Sequence, residues 1–271
     1  MGQRVRSEQG KPSSPRSDYV IEATDIVKRF GHVQALSGAS LQVRPGEVLA
    51  LVGDNGAGKS TLTKIICGAL TPDSGRLAFW GETTTVTSIR HAQELGVETV
   101  YQDLALAPDL SVAENMFLGR EPLTRGIFAG WPPSLDRKKM RQAARQAIAA
   151  AGISTLNSVD RAVRDLSGGQ RQAIAVARAV MWATTAILMD EPTAALGTKQ
   201  TDIVYESIRS AAARGLAVVV ISHDIPKMLS LADRIAVMRQ GRTVSNLPAR
   251  DLTLTDVVTL MLGGHARGEA A

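Results

Sequence analysis

The sequence predicts an α/β fold built on a parallel sheet, and three observations predict it. Short apolar runs, Val48 to Val52, Ala186 to Met189 and Leu216 to Ile221, have the length of buried strands and are too short for helices. Helical patterns separate the later runs, an alternation that gives parallel strands with helices packed on the sheet. A glycine-rich turn, Gly53 to Gly58, joins the first run directly to a helical pattern that begins at Ser60. The 271 residues, 44% of them hydrophobic, suffice for one large domain with its own core. None of the apolar runs approaches the roughly 18 residues that a membrane crossing needs.

Residues 1–18 read as a disordered tail, with no apolar centre for a secretion signal, and Arg6 stands where a myristoylation motif wants Ser or Thr. Of the net charge of +5, Arg4, Arg6, Lys11 and Arg16 against Glu8 place +3 within residues 1–17. The remaining +2 is spread over a body with 4% aromatics overall, which offers neither a basic stripe nor a stacking platform for nucleic acid. From Tyr19 to Gly53 the pattern gives two or three short antiparallel strands leading into the buried run at Val48. A helix follows from Ser60 to Ala69, then a turn at "TPDSG" and a strand at "RLAFWG".

Residues of about 105–180 carry no strong β run and read as a helical insertion, so the core is split into about 19–104 and 181–250. Within the insertion, Met140, Ala143, Ala147, Ile148 and Ala151 recur at helical spacing, with Asp136 as N-cap and Gly152 as the stop. Beyond it, "AILMDEP", "AVVVISHD" and "RIAVMRQGRTV" are strands, and "LTLTDVVTLMLGG" gives a last helix at about 253–262. A single domain thus spans 19–263, and 264–271 is a second tail. The one cysteine, Cys67, allows no intrachain disulfide or cysteine-ligated zinc site, fits a reducing cytosol, and reads as a small buried hydrophobe.

Two strings carry chemistry. "GDNGAGKST", Gly53 to Thr61, satisfies G-x-x-x-x-G-K-[ST] between a strand and a helix, the context the phosphate-binding P-loop requires. Gly53, Asp54, Asn55, Gly56, Ala57 and Gly58 let backbone N–H groups face phosphates, Lys59 reaches the β- and γ-phosphates, and Ser60, followed by Thr61, offers a hydroxyl to Mg²⁺. The fold prediction sharpens to a P-loop NTPase core with a parallel sheet, an N-terminal antiparallel β subdomain and an inserted helical subdomain. In "AILMDEP", Asp190 ends a buried strand where it can hold the Mg²⁺ shell, and Glu191 is placed to polarise an attacking water. Alone, two acids after a strand would simply cap a helix.

"LSGGQ", Leu166 to Gln170, resembles the signature of ATP-binding cassette (ABC) ATPases, with the motifs in family order over about residues 20–262. The resemblance implies a RecA-like core and a second phosphate cradle, in which Ser167, Gly168, Gly169 and Gln170 contact ATP held by another subunit. It also implies that Gln102, in "VYQDLALAP", contacts Mg²⁺ and links to a membrane subunit, and that His223, in "VVVISHD", lies near the γ-phosphate. Phe30 stands where the family stacks an aromatic on adenine; core packing is the plain alternative. One departure is Gly197 in "TAALGTK", where the family usually has an aspartate that couples the two sites.

"ETVYQDLALAPDLSVAENMFLGRE", "DEPTAALG" and "TLMLGG" look like monosaccharide-import ATPases of the fructose, ribose and xylose type, most of all the single-cassette, fructose-type members. That resemblance implies a homodimer using ATP and Mg²⁺ at the cytoplasmic face of the membrane, bound to separate permease subunits and fed by an external sugar-binding protein. A P-loop kinase would leave "LSGGQ" without a use. A non-transport ABC protein switching on ribosomes or DNA normally has two cassettes or a long coiled-coil insertion. An importer of a non-sugar solute is the remaining alternative.

Overall fold

The computed structural model describes residues 17–264 except 125–132, 154, 155, 157 and 195. Most of the first expected tail and nearly all of the second lie outside the described residues. The elements in order are β1 (Ile21–Phe30), β2 (Val33–Val43), β3 (Val48–Gly53), α1 (Lys59–Ile66), β4 (Ser74–Phe79), β5 (Glu82–Thr83), α2 (Ile89–Glu94), β6 (Val97–Val100) and α3 (Val112–Phe117). They continue as α4 (Arg137–Ala150), α5 (Gly168–Trp182), β7 (Ala186–Asp190), α6 (Thr198–Ala213), β8 (Ala217–Ile221), α7 (Ile225–Leu231), β9 (Arg234–Arg239), β10 (Arg242–Pro248) and α8 (Leu254–Leu262). Among the described residues no helix is long and apolar enough to cross a membrane.

Two sheets form. The antiparallel one has the order β2-β1-β4-β5, and the other has the order β10-β9-β3-β8-β7-β6, parallel except for the β9/β10 pair. Every residue of β3 is buried, and alternation along it decides which side each residue serves. Leu49 and Leu51 face a core shared with α1 and the antiparallel sheet, as do Leu188, Val219 and Ile221. Val48, Ala50 and Val52 face a second core with α5, α6, α7 and α8. A third core, among them Val112, Met116, Met140, Ala144, Ile148 and Ile174, joins α3, α4 and α5 into the inserted helical subdomain. Helix α5 belongs to two cores, placing Ala175, Val176 and Ala179 against the sheet and Ile174 and Ala177 against the helices.

Three details differ from the sequence reading. "VETV" is a parallel strand paired with β7; its polar Glu98 is buried and interrupts what would otherwise be an apolar run. "RIAVMRQGRTV" is a hairpin, because Gln240 and Gly241 both have positive φ, 48° and 75°, as a tight two-residue turn requires. In α4 the Asp136 cap forms, accepting from Lys139 N at 3.0 Å, and Met140, Ile148 and Ala151 are buried. The stripe runs through Ala144, whereas Ala143 and Ala147 lie partly buried at its edge.

Candidate nucleotide-binding site

Strand β3 delivers the chain to Gly53, and α1 starts after a turn that packs against β2. Gly58 is the N-cap of α1 with a φ of 104°, and a Cβ there would stand 2.7 Å from Leu36 Cδ2 and 2.8 Å from Ala35 O. Only glycine meets both demands. Gly56, also at positive φ, has nothing within 4 Å of where its Cβ would be, so its backbone faces open space. Lys59 is 7% exposed and folds over the turn, donating from Nζ to Gly53 O at 2.7 Å and Asp54 O at 2.9 Å. Burial pulls its pKa down, and the carboxylates of Glu191, Asp190 and Asp54 oppose that.

Asp190 closes β7 opposite Ile221 of β8. Glu191 follows in left-handed backbone, φ 52°, its N–H donating to Ile221 O at 3.0 Å. A non-glycine residue held there marks a local constraint. Glu191 Oε1 is 3.0 Å from His223 Nε2 but off the line of a hydrogen bond, so this buried oxygen has no hydrogen-bond partner in the structure. Burial raises the Glu191 pKa; His223 opposes the rise, Asp190 adds to it and Lys59 opposes it.

These residues share one cleft of about 620 Å³ at the carboxyl ends of β3, β7 and β8, lined by Asn55 to Thr61, Gln102, Asp190, Glu191 and His223. Carboxyl ends of parallel strands are where α/β sheets bind ligands. Gly53 and Asp54 lie outside the lining, where their carbonyls hold Lys59. Phe30 is on the rim, 47% exposed, so core packing is not its role; Lys28 Nζ stands 5.8 Å from its ring. Val33, Gln34 and Ala35 line the cleft beside Phe30. Sequence reasoning passed over these three, and their nearness to Phe30 across the Gly31 turn is the signal that could have found them.

Ser167 to Gln170 do not line that cleft. Ser167 is the N-cap of α5 and forms a capping box with Gln170, its Oγ accepting from Gln170 N at 3.2 Å. The serine therefore is a plain cap within its own chain, and as an acceptor there it keeps its own O–H proton to donate. Gly168 is exposed with nothing within 4 Å of its missing Cβ. Gly197 is the N-cap of α6 without a side-chain cap.

A glycine cradle, a buried lysine and strand-end carboxylates around one cleft define a P-loop ATPase. The family model described as "ABC transporter" matches residues 36–194, and the chain belongs to that family. It is 46% identical over 244 residues to the fructose import ATP-binding protein FrcA of Rhizobium meliloti, covering 90% of this chain and 94% of that one. It is 43% identical over 242 residues to the xylose/arabinose import ATP-binding protein XylG of Sulfolobus acidocaldarius, covering 89% and 93%. A nucleotide-free ATP-binding cassette from an ABC transporter superposes with a TM-score of 0.74 at 25% identity, covering 90% and 95%. A dimeric bacterial ABC transporter cassette does so with a TM-score of 0.70 at 25% identity, covering 85% and 99%.

Proposed function

We propose that this ATP hydrolase powers import of a monosaccharide of the fructose, xylose or ribose class through separate permease subunits, as a homodimer at the cytoplasmic face of the membrane. The observation that carries the chemistry is the single cleft in which Lys59, Ser60, Gln102, Asp190, Glu191 and His223 meet. The sugar class is supported by the fructose and xylose/arabinose import relatives, whose whole length this chain nearly spans. Homodimer formation is supported by the dimeric cassette and by the exposed, unfilled start of α5. An external sugar-binding protein would supply the solute.

The residues fit ATP and Mg²⁺. Ser60, Gln102 and Asp190 offer a hydroxyl, an amide and one carboxylate, an oxygen donor set suited to a hard cation that takes its other ligands from phosphates and water. When bound, Mg²⁺ would neutralise phosphate charge. Lys59 exchanges the carbonyls of Gly53 and Asp54 for phosphate oxygens. Phe30 stacks on the adenine at the rim. The Glu191 carboxylate accepts a hydrogen bond from the attacking water and takes its proton as the water oxygen bonds to the γ-phosphorus and the bond to ADP breaks. His223 sits beside Glu191 and favours its charged form. Ser167 and the glycine pair contact the ATP held by the partner's P-loop.

The test is reconstitution with the candidate permease in vesicles. Fructose, xylose or ribose, presented with its binding protein, should raise ATP turnover and accumulate inside. Turnover indifferent to every sugar of this class would remove the substrate assignment, and copurification with ribosomes or DNA in place of a permease would replace it.

A further inference from the structure

Helix α5 starts at the glycine pair of the signature, and further along it stands Arg178. Its guanidinium donates from Nη1 to Ala105 O at 2.9 Å and from Nη2 to Leu104 O at 3.1 Å. Both carbonyls belong to the loop that follows Gln102, and both residues are in left-handed backbone, with φ of 62° at Leu104 and 44° at Ala105. In that region the Cβ of an L residue crowds the next carbonyl, so consecutive non-glycine residues hold it only when their surroundings impose it. Here the planar fork of Arg178 turns two successive carbonyls toward one side chain. The compact ammonium of a lysine does not match such a pair.

The Arg178 guanidinium lines one pocket together with Glu98, Arg120 and Trp182. Glu98 on β6, just before Gln102, is 8% exposed and accepts from Arg120 Nη2 at 2.5 Å. Burial lowers the Arg178 pKa, the Glu98 carboxylate opposes this, and Arg120 adds to the lowering. Arg120 stacks on the Trp182 ring at 4.9 Å, and Trp182 Nε1 donates to Met116 O at 2.7 Å. With one face in the sheet core and another in the helical core, α5 cannot slide on its own.

We propose that Arg178 is a positioning residue that locks the Gln102 loop to the helix carrying Ser167 to Gly169, so that the glutamine of a chain's own cleft and its signature keep one relative position. The proposal rests on the reading above that Gln102 faces Mg²⁺ and ATP.

Amide hydrogen exchange on the full chain without nucleotide tests the lock, with Arg178→Lys, which keeps charge and stem, and Arg178→Gln as a second variant. Exchange across residues 102–106 should rise on the order of tenfold while β3 and β7 amides stay protected. Unchanged exchange in that loop overturns the proposal whatever happens to activity. The Mg²⁺ concentration for half-maximal ATP turnover should rise several-fold in Arg178→Lys, with no further rise when Arg178→Lys is added to Gln102→Ala. A rise of equal size in both backgrounds means that Arg178 acts elsewhere, and also overturns it. If Gln102→Ala alone leaves the Mg²⁺ dependence unchanged, the reading of Gln102 fails, and exchange alone then decides the lock.

Discussion

The two glycine-rich helix starts of this chain, Gly56 to Lys59 and Ser167 to Gly169, are made of the same parts and sit in opposite surroundings. At α1 the turn is packed: Gly58 is pressed against Leu36 and Ala35, and Lys59 is buried over its own loop. At α5 the serine is itself the helix cap, Gly168 meets open space, and the nucleotide cleft of the chain lies elsewhere. A glycine at position 58 is required by the fold itself, through its positive φ and the close approach of Leu36 and Ala35. A glycine at 168 is required by nothing described in its own chain, which is the expected mark of a surface completed by a partner. On the proposed function, the first start is half of a composite site furnished with its catalytic groups, and the second is the other half without them.

The largest expected effect lies on the furnished half. Glu191→Gln should cut ATP turnover by about 10²–10⁴-fold while ATP still binds, since the amide keeps the shape and loses the base. The wild-type profile should carry an acid limb, because Glu191 must be deprotonated to take the proton. Burial first, and Asp190 after it, raise its pKa, with His223 and Lys59 opposing. The rate should therefore fall, as pH is lowered, through a value above the ordinary glutamate range. Turnover by Glu191→Gln near the wild-type rate would remove Glu191 from catalysis, and an acid limb retained at its original position in the residual rate would assign that limb to another group.

Joining the two halves is the next test. Lys59→Ala and Ser167→Arg should each be inactive as homodimers, since each damages both composite sites. In a mixed dimer one site carries both lesions and the other is intact, so random equal mixing regenerates about a quarter of the wild-type sites by symmetry. Trapping of ATP is the measurement, made with the permease present so that dimers persist. Trapping no greater than the sum of the two variants, with mixed dimers shown to form, would separate the α5 start from any partner's nucleotide.

What was legible in the sequence was what is local. The P-loop and the Asp190–Glu191 pair are contiguous strings whose backbone geometry follows from adjacent residues, and the structure brings both to one cleft. Strand β6 was not legible because Glu98 breaks its apolar run, and its burial depends on Arg120, far along the chain. The contacts of Arg178 with Leu104 and Ala105 span two segments that only the fold brings together. Phe30 was legible as an aromatic of either core or cleft; its exposure on the rim needed the relative placement of the two sheets. The capping box at Ser167 was readable from Ser-x-x-Gln itself, and was overshadowed by the glycines inside it.

The smallest expected effect sharpens how the bare half is held. Gly197, where the resemblance leads one to expect an aspartate, has the extended backbone of an N-cap, φ −72° and ψ 165°, with no side chain to cap α6. An aspartate there would accept from the first turn of α6 and add a few tenths of a kcal/mol, a rise in Tm of about 1 °C. Its Cβ would stand 2.8 Å from Gln200 Oε1, the far end of a flexible side chain, which would swing away. Gln200 also lies against Gly169, its Cγ 2.8 Å from where a Cβ on that glycine would be. Displacing Gln200 therefore disturbs the start of α5 and not the P-loop. Gly197→Asp should change the Hill slope for ATP while the affinity of the isolated subunit for ATP stays as it was. A raised Tm with an unchanged slope would show that the cap forms and that Gly197 has no part in linking the two sites.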